Sequence, residues 1–309
     1  MTMRNQDNFK LKTIILTVFL IMLFCVSFLI GRYQIDIKTA LDIILSKFIY
    51  IDKYWGKNLD TVVWEVRLPR IILAILVGGA LSVAGASYQT LFKNPMVSPD
   101  ILGVSAGAGF GAAFAMINGG NWLEIQGTAF FFGTIAVTAA YVISTIFGRH
   151  SITVLVLAGV VVSSFFQALL SIVKTLADTD NELPSITFWL MGSLNRGTNQ
   201  DVIFILPALG LSLLVLFFLR HHINALSAGE DVAQTMGVNV SLVKLAVIAA
   251  STLMTVSSVS ICGIIGWIGM VVPHLARMLA GAGYSKIMVL SFLIGGTFLL
   301  GIDNLIRGI

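Results

Sequence analysis

The sequence predicts an all-α, polytopic membrane protein, with residues 1–309 forming one transmembrane domain. Three observations carry that prediction. Hydrophobic residues make up 57% of the chain. Charged residues make up 11%, against roughly 25% in an ordinary soluble domain. Apolar runs recur along the whole length, and mean hydropathy is +0.94. A soluble globule of this size needs a polar skin that 19 basic and 15 acidic residues cannot supply. This excludes a cytosolic enzyme, a disordered chain and a nucleic-acid binder with a broad basic face. The net charge of +4 implies no strongly acidic or basic partner.

The first run, Leu11 to Ile30, is long enough to cross a hydrocarbon layer of ~30 Å. It exceeds the ~7–15 residues of a signal-peptide core and has no small-residue cleavage site after it, so it reads as a retained span. Residues 31–66 differ: Asp36, Asp42, Asp52, Lys53, Lys57, Asp60 and Glu65 interrupt apolar and aromatic residues. This pattern predicts an extramembrane segment of short amphipathic helices lying on the bilayer. Further apolar runs follow at 71–92, 101–117, 125–147, 152–173, 202–219, 242–261, 264–280 and 287–302, giving nine spans. The long polar connections are 174–200 and 220–241.

Backbone in lipid must satisfy its own hydrogen bonds, so these runs are helices. The alternating strands of a barrel are absent. Gly103, Gly107 and Gly111 repeat at four-residue spacing, which suits close helix packing or, alternatively, a dimer or pathway face. Cys25 and Cys262 lie in apolar stretches and read as small hydrophobes. His274 reads as a helix-packing residue. Asp178, Asp180 and Glu182 read as a solvated outer loop. Lysines and arginines divide almost evenly between the two sides, so charge counting does not orient the chain.

None of the nine runs carries Asp, Glu, Lys or Arg in its middle. Ionisable residues at membrane depth mark proton relays and ion-coupled pumps, and their absence argues against a proton-driven carrier. There is also no GxxxxGK[ST] phosphate loop, so the sequence offers no ATP site of that kind.

Four stretches carry more specific information. Arg67-Leu68-Pro69-Arg70 leads into Gly78-Gly79-Ala80-Leu81, Lys93-Asn94-Pro95-Met96 and Ile101-Leu102-Gly103-Val104-Ser105. Asn224-Ala225-Leu226-Ser227-Ala228-Gly229-Glu230-Asp231-Val232-Ala233 precedes Gly237. Gly263-Ile264-Ile265-Gly266-Trp267-Ile268-Gly269 runs into Pro273-His274-Leu275-Ala276-Arg277. The last is Asp303-Asn304-Leu305-Ile306-Arg307. Together they resemble the FecCD-type permease subunits of binding-protein-dependent ABC importers for iron–siderophore, haem, cobalamin and related metal chelates, from about residue 60 onward. Leu183 to Leu194 resembles a branch with iron-chelate and molybdate-type members.

The resemblance implies a type-II ABC importer permease of the cytoplasmic (inner) membrane, with its N-terminus inside. It implies a second copy of the chain, two cytoplasmic ATPase subunits and an external substrate-binding protein as partners. Arg67, Arg70 and Arg307 are then expected to dock carboxylates of the binding protein, since a guanidinium fork suits a carboxylate. Snorkelling anchors are the plainer account of the first two. Leu226, Gly229, Glu230, Asp231, Ala233 and Gly237, in the cytoplasmic loop 220–241, are expected to couple to the ATPase, with Leu226 and Val232 filling its pocket. Asn94 and Pro95, with Ser151 and Ile152, are expected to form the cytoplasmic gate, though Asn-Pro also punctuates any helix.

No bond is expected to be made or broken on this chain. No cofactor is expected on it either, ATP and Mg belonging to the partner subunit. Such permeases usually have ten spans, whereas this chain reaches nine at Ile309. An ion-coupled secondary transporter of a small solute is the alternative reading.

Overall fold

The computed structural model describes residues 2–47, 49–148, 151–281 and 283–308, with side chains from Phe9 onward. Its helices are α1 (Thr2–Ser27), α2 (Ile37–Leu45), α3 (Lys57–Thr61), α4 (Leu68–Leu91), α5 (Val104–Ile117), α6 (Trp122–Gly148), α7 (Ile152–Leu176), α8 (Glu182–Met191), α9 (Asn199–Ala228), α10 (Glu230–Thr235), α11 (Val240–Cys262), α12 (Ile268–Ala280) and α13 (Tyr284–Gly308). No strand occurs among the described residues. We label the end holding Arg67 and Arg307 the outer end and the end holding α10 the inner end, as the sequence implies.

Among the described residues, seven helices are long and apolar enough to cross a membrane. Helices α5 and α12 match two further expected spans but have 14 and 13 residues. At 1.5 Å per residue each rises about 20 Å, short of the ~30 Å core. Helix α5 covers the outer half of α6: a side-chain carbon at Gly107 would lie 2.4 Å from the carbonyl oxygen of Phe132, and one at Gly111 would lie 2.3 Å from that of Thr128. Helix α12 covers the inner half of α4, where Arg277 donates to Thr90 Oγ1 at 3.4 Å, and Lys12 Nζ of α1 donates to the Leu279 carbonyl at 2.8 Å. The expected runs 101–117 and 264–280 therefore each contain an irregular turn inside the bundle.

Close backbone approach holds the centre together. Helix α4 packs on α13 so tightly that a carbon added at Gly78 would sit 2.3 Å from the Gly295 carbonyl oxygen. Lipid chains are as apolar as leucine, so such packing rather than expulsion of water drives association. Gly103 has a different task from Gly107 and Gly111. It holds φ at +88° and ends the 3-10 turn Pro99–Leu102 ahead of α5. Helices α4 and α11 are the most enclosed. The hydroxyls of Thr255, Ser258 and Ser260 bond back to carbonyls of α11 itself, as Thr255 Oγ1 to the Ser251 carbonyl at 2.8 Å, while Thr252 bonds across to Tyr88 of α4 at 3.0 Å. Exposed Leu11, Ile14, Ile15 and Val18 of α1 form a lipid-facing stripe.

Candidate functional site

The outer end is organised by proline and arginine. Pro69 has no N–H and crowds the preceding carbonyl, and the chain answers by widening into a π turn over Val62–Arg67. Arg67 thereby turns inward and is only 4% exposed. Its guanidinium donates to the carbonyls of Phe28 and Tyr33, tying down the connection between α1 and α2. Arg70 and Arg307 meet on Asp303. Arg70 reaches it through Nε at 2.8 and 3.1 Å and through Nη2 at 2.7 Å, and Arg307 Nε lies 2.9 Å from the same carboxylate. Arg307 also donates to the Ser27 carbonyl at 3.2 Å, and Asn304 Nδ2 donates to Ser27 Oγ at 2.7 Å.

The three expected docking arginines are thus brought together around one cavity of about 500 Å³, and each has a partner within the chain. Arg32 lines the same cavity and is exposed. A second cavity of about 360 Å³ adjoins it, sharing Arg70, Asn195 and Ile306. Thr198 and Asp201 close α9 as a capping box, and Asp201 also accepts from Gln126 Nε2 at 2.6 Å.

At the inner end α9 continues to Ala228 and breaks at Gly229, where φ is +153°. The six-residue α10 follows, and Gly237 at φ +79° turns the chain toward α11. Leu226 is 3% exposed and Ala233 fully buried, both within the chain's own core. The expected pair of pocket residues therefore reduces to Val232, at 45% exposure, joined by Met236 at 67%. Asp231 is exposed. Glu230 turns back to Lys244 of α11 at 2.7 Å, fixing α10 to a span.

The two expected gate turns lie at this end too. Asn94 Oδ1 accepts from the Met96 N–H at 2.9 Å, and Asn94 and Pro95 are exposed. Ser151 precedes α7 and is exposed, while Ile152 packs on the apolar cluster that holds Leu91, Phe92 and Val97. The adjoining Arg149 and His150 lie outside the described residues.

Several residues were invisible to sequence reasoning. Asp100 was expected in a connection, but the turn that holds it lies inside the bundle. Ile101, its neighbour, meets Gly159, seven residues into α7 and so about 10 Å from that helix's start. Asp100 accepts from Ser105 Oγ of α5. One carboxylate thus does sit at membrane depth, at a break between helices where polar backbone is tolerated. Trp267 carries φ of +69° and is 76% exposed, a conformation costing of order 1–3 kcal/mol for a bulky residue. His274, expected to pack between helices, is exposed. The acidic outer loop is a turn device: Asp178 N–H donates to Glu182 Oε2 at 2.9 Å, and Asn181 N–H donates to Asp178 Oδ2 at 3.0 Å.

Comparison with known proteins agrees with this arrangement. The profile of the FecCD transport family matches residues 19–309. The chain belongs to the FecCD transport family. It is 33% identical over 294 residues to the molybdate import system permease protein MolB of Haemophilus influenzae, covering 95% of this chain and 87% of that one. It is 34% identical to a Helicobacter pylori protein described as a probable iron chelatin transport system permease, covering 95% and 89% of the two chains. Among solved structures it superposes on a metal-chelate type ABC transporter in an inward-facing conformation, with a TM-score of 0.84, 32% identity, and coverage of 96% and 90%. The FecCD chain described here is therefore a multi-pass permease of an ABC importer in the cytoplasmic membrane.

Proposed function

We propose that this permease imports a metal chelate, iron–siderophore first among haem, cobalamin and molybdate or tungstate. It works as a pair with a second copy, is driven by ATP hydrolysis on two cytoplasmic ATPase subunits, and is supplied by an external binding protein. The observation that carries this reading is the inner end. A short helix exposes Val232, with Met236 just beyond it, while Ala233 is buried and Glu230 is paired with Lys244. An exposed apolar step on an otherwise fixed helix suits a groove on a partner protein.

The chain's own task is alternating access, and nucleotide chemistry belongs to the partner, with ATP and Mg held there. At the other end, the cavity lined by Arg32, Arg67, Arg70 and Arg307 contains no carboxylate in its wall and suits acidic groups on the binding protein. Arg67 serves this surface from beneath, by holding the connection that carries Arg32. The experiment is reconstitution in liposomes with the ATPase and binding protein that co-purify with it. Vanadate-sensitive uptake of the solute retained by that binding protein is expected. Uptake by this chain alone, insensitive to vanadate, would instead establish the secondary carrier.

A further inference from the structure

A third cavity at the outer end has no part in the assignments above. Its volume is about 370 Å³, and its polar wall includes Trp122, Trp189, Ser193, Asn195 and Arg196. No carboxylate lines it. The Arg196 guanidinium lies 5.4 Å from the centre of the Trp122 ring. Arg196 is exposed, and it forms no ion pair among the described residues. Ser193 Oγ accepts from the Asn195 N–H at 3.1 Å, which leaves the hydroxyl proton free to donate. The carbonyl of Cys262, another wall residue, is already taken by the Ser193 N–H at 2.7 Å.

The two indoles are the unusual part. Trp189 is 7% exposed, and neither its Nε1 nor that of Trp122 has an acceptor. A buried indole N–H ordinarily finds one. Both rings wall the same cavity, beside a guanidinium whose charge is uncompensated. The wall therefore supplies donors and positive charge, and it carries no negative charge.

We infer that this cavity is a site for an oxyanion of the phosphate type, either dissolved or as the headgroup phosphate of an outer-leaflet lipid. Arg196 supplies the charge and a fork of N–H donors. Ser193 adds a hydroxyl. The indole N–H groups are closed off from water, and they gain the acceptors they lack when their rings turn toward the anion. Stacking of Arg196 on Trp122 as a mere loop fastening gives no dependence on anions, and that separates the two accounts.

The test uses the full chain in nanodiscs of phosphatidylcholine, with radiolabelled molybdate as a tetrahedral dianion in equilibrium dialysis. Saturable binding is expected, at least tenfold weaker in Arg196→Gln and several-fold weaker in Trp189→Phe, which keeps the ring and deletes the donor. Arg196 is exposed, so its substitution leaves the fold intact, and an unchanged thermal midpoint verifies this. If molybdate does not bind, mass spectrometry of lipid carried through purification reads the other source. Phosphatidylglycerol retained by the natural chain and lost from Arg196→Gln supports a headgroup occupant. Absence of both, or binding undiminished in both variants, overturns the inference.

Discussion

At the outer end, three arginines and one aspartate are folded into the wall of the protein, and Asp303 answers both Arg70 and Arg307. At the inner end, Glu230 of α10 pairs with Lys244, and the glutamate side chain is 41% exposed. The first region is built to hold a fixed shape. The second is a short helix held by the Glu230–Lys244 pair and by the burial of Ala233. The proposed function, with a rigid partner on one side and a moving one on the other, calls for this asymmetry. Charges at the outer end support structure, whereas the exposed side chains at the inner end carry little of the stability and, in the proposed reading, carry function.

Substitutions can break this contrast, and they fall in a definite order of effect on stability. Asp303→Ala is the largest, because it leaves Arg70 and Arg307 buried without a counter-charge. Breaking a buried pair from one side costs about 3–5 kcal/mol, so the thermal midpoint in detergent should drop sharply. Next comes Trp267→Gly, which acts in the opposite direction. The residue is 76% exposed and contributes little packing, so removing its φ strain should raise stability by about 1 kcal/mol. Lys244→Gln should cost under about 1 kcal/mol, since its partner is partly solvated and such pairs are weak. Its effect should appear instead as more ATP hydrolysed per solute moved. Val232→Glu should leave the thermal midpoint unchanged and abolish ATP-driven uptake. If Val232→Glu unfolded the chain while Asp303→Ala did not, the contrast between the ends would be wrong.

Much of the architecture was legible because apolar length is nearly sufficient to specify a spanning helix. The loop around Gly229 and Gly237 was readable for a similar reason, since two glycines that hold positive φ bracket a helix-forming hexapeptide. Depth was not readable. A 14-residue apolar helix has the same composition whether it crosses the bilayer or stops midway, so α5 and α12 looked like full spans and Asp100 looked like a connection. Burial of Arg67 was hidden too. Its acceptors are main-chain carbonyls 39 and 34 residues away, and carbonyls have no signature in a sequence. Leu226 and Val232 were equivalent as hydrophobes, and only the packing of α9 and α10 into the core around Tyr284 separates them. Gly103 shared the spacing of Gly107 and Gly111, but the turn before α5 gave it a different task.

The central claim is that force enters the permease from a separate ATPase at the exposed step on α10. The most direct test is Val232→Cys, with a single reporter cysteine placed in the helix groove of the co-expressed ATPase subunit. The account predicts a disulfide cross-link that forms in the assembled complex and whose yield changes when nucleotide is trapped with vanadate. No cross-link in an assembled complex that still hydrolyses ATP and transports solute would contradict it.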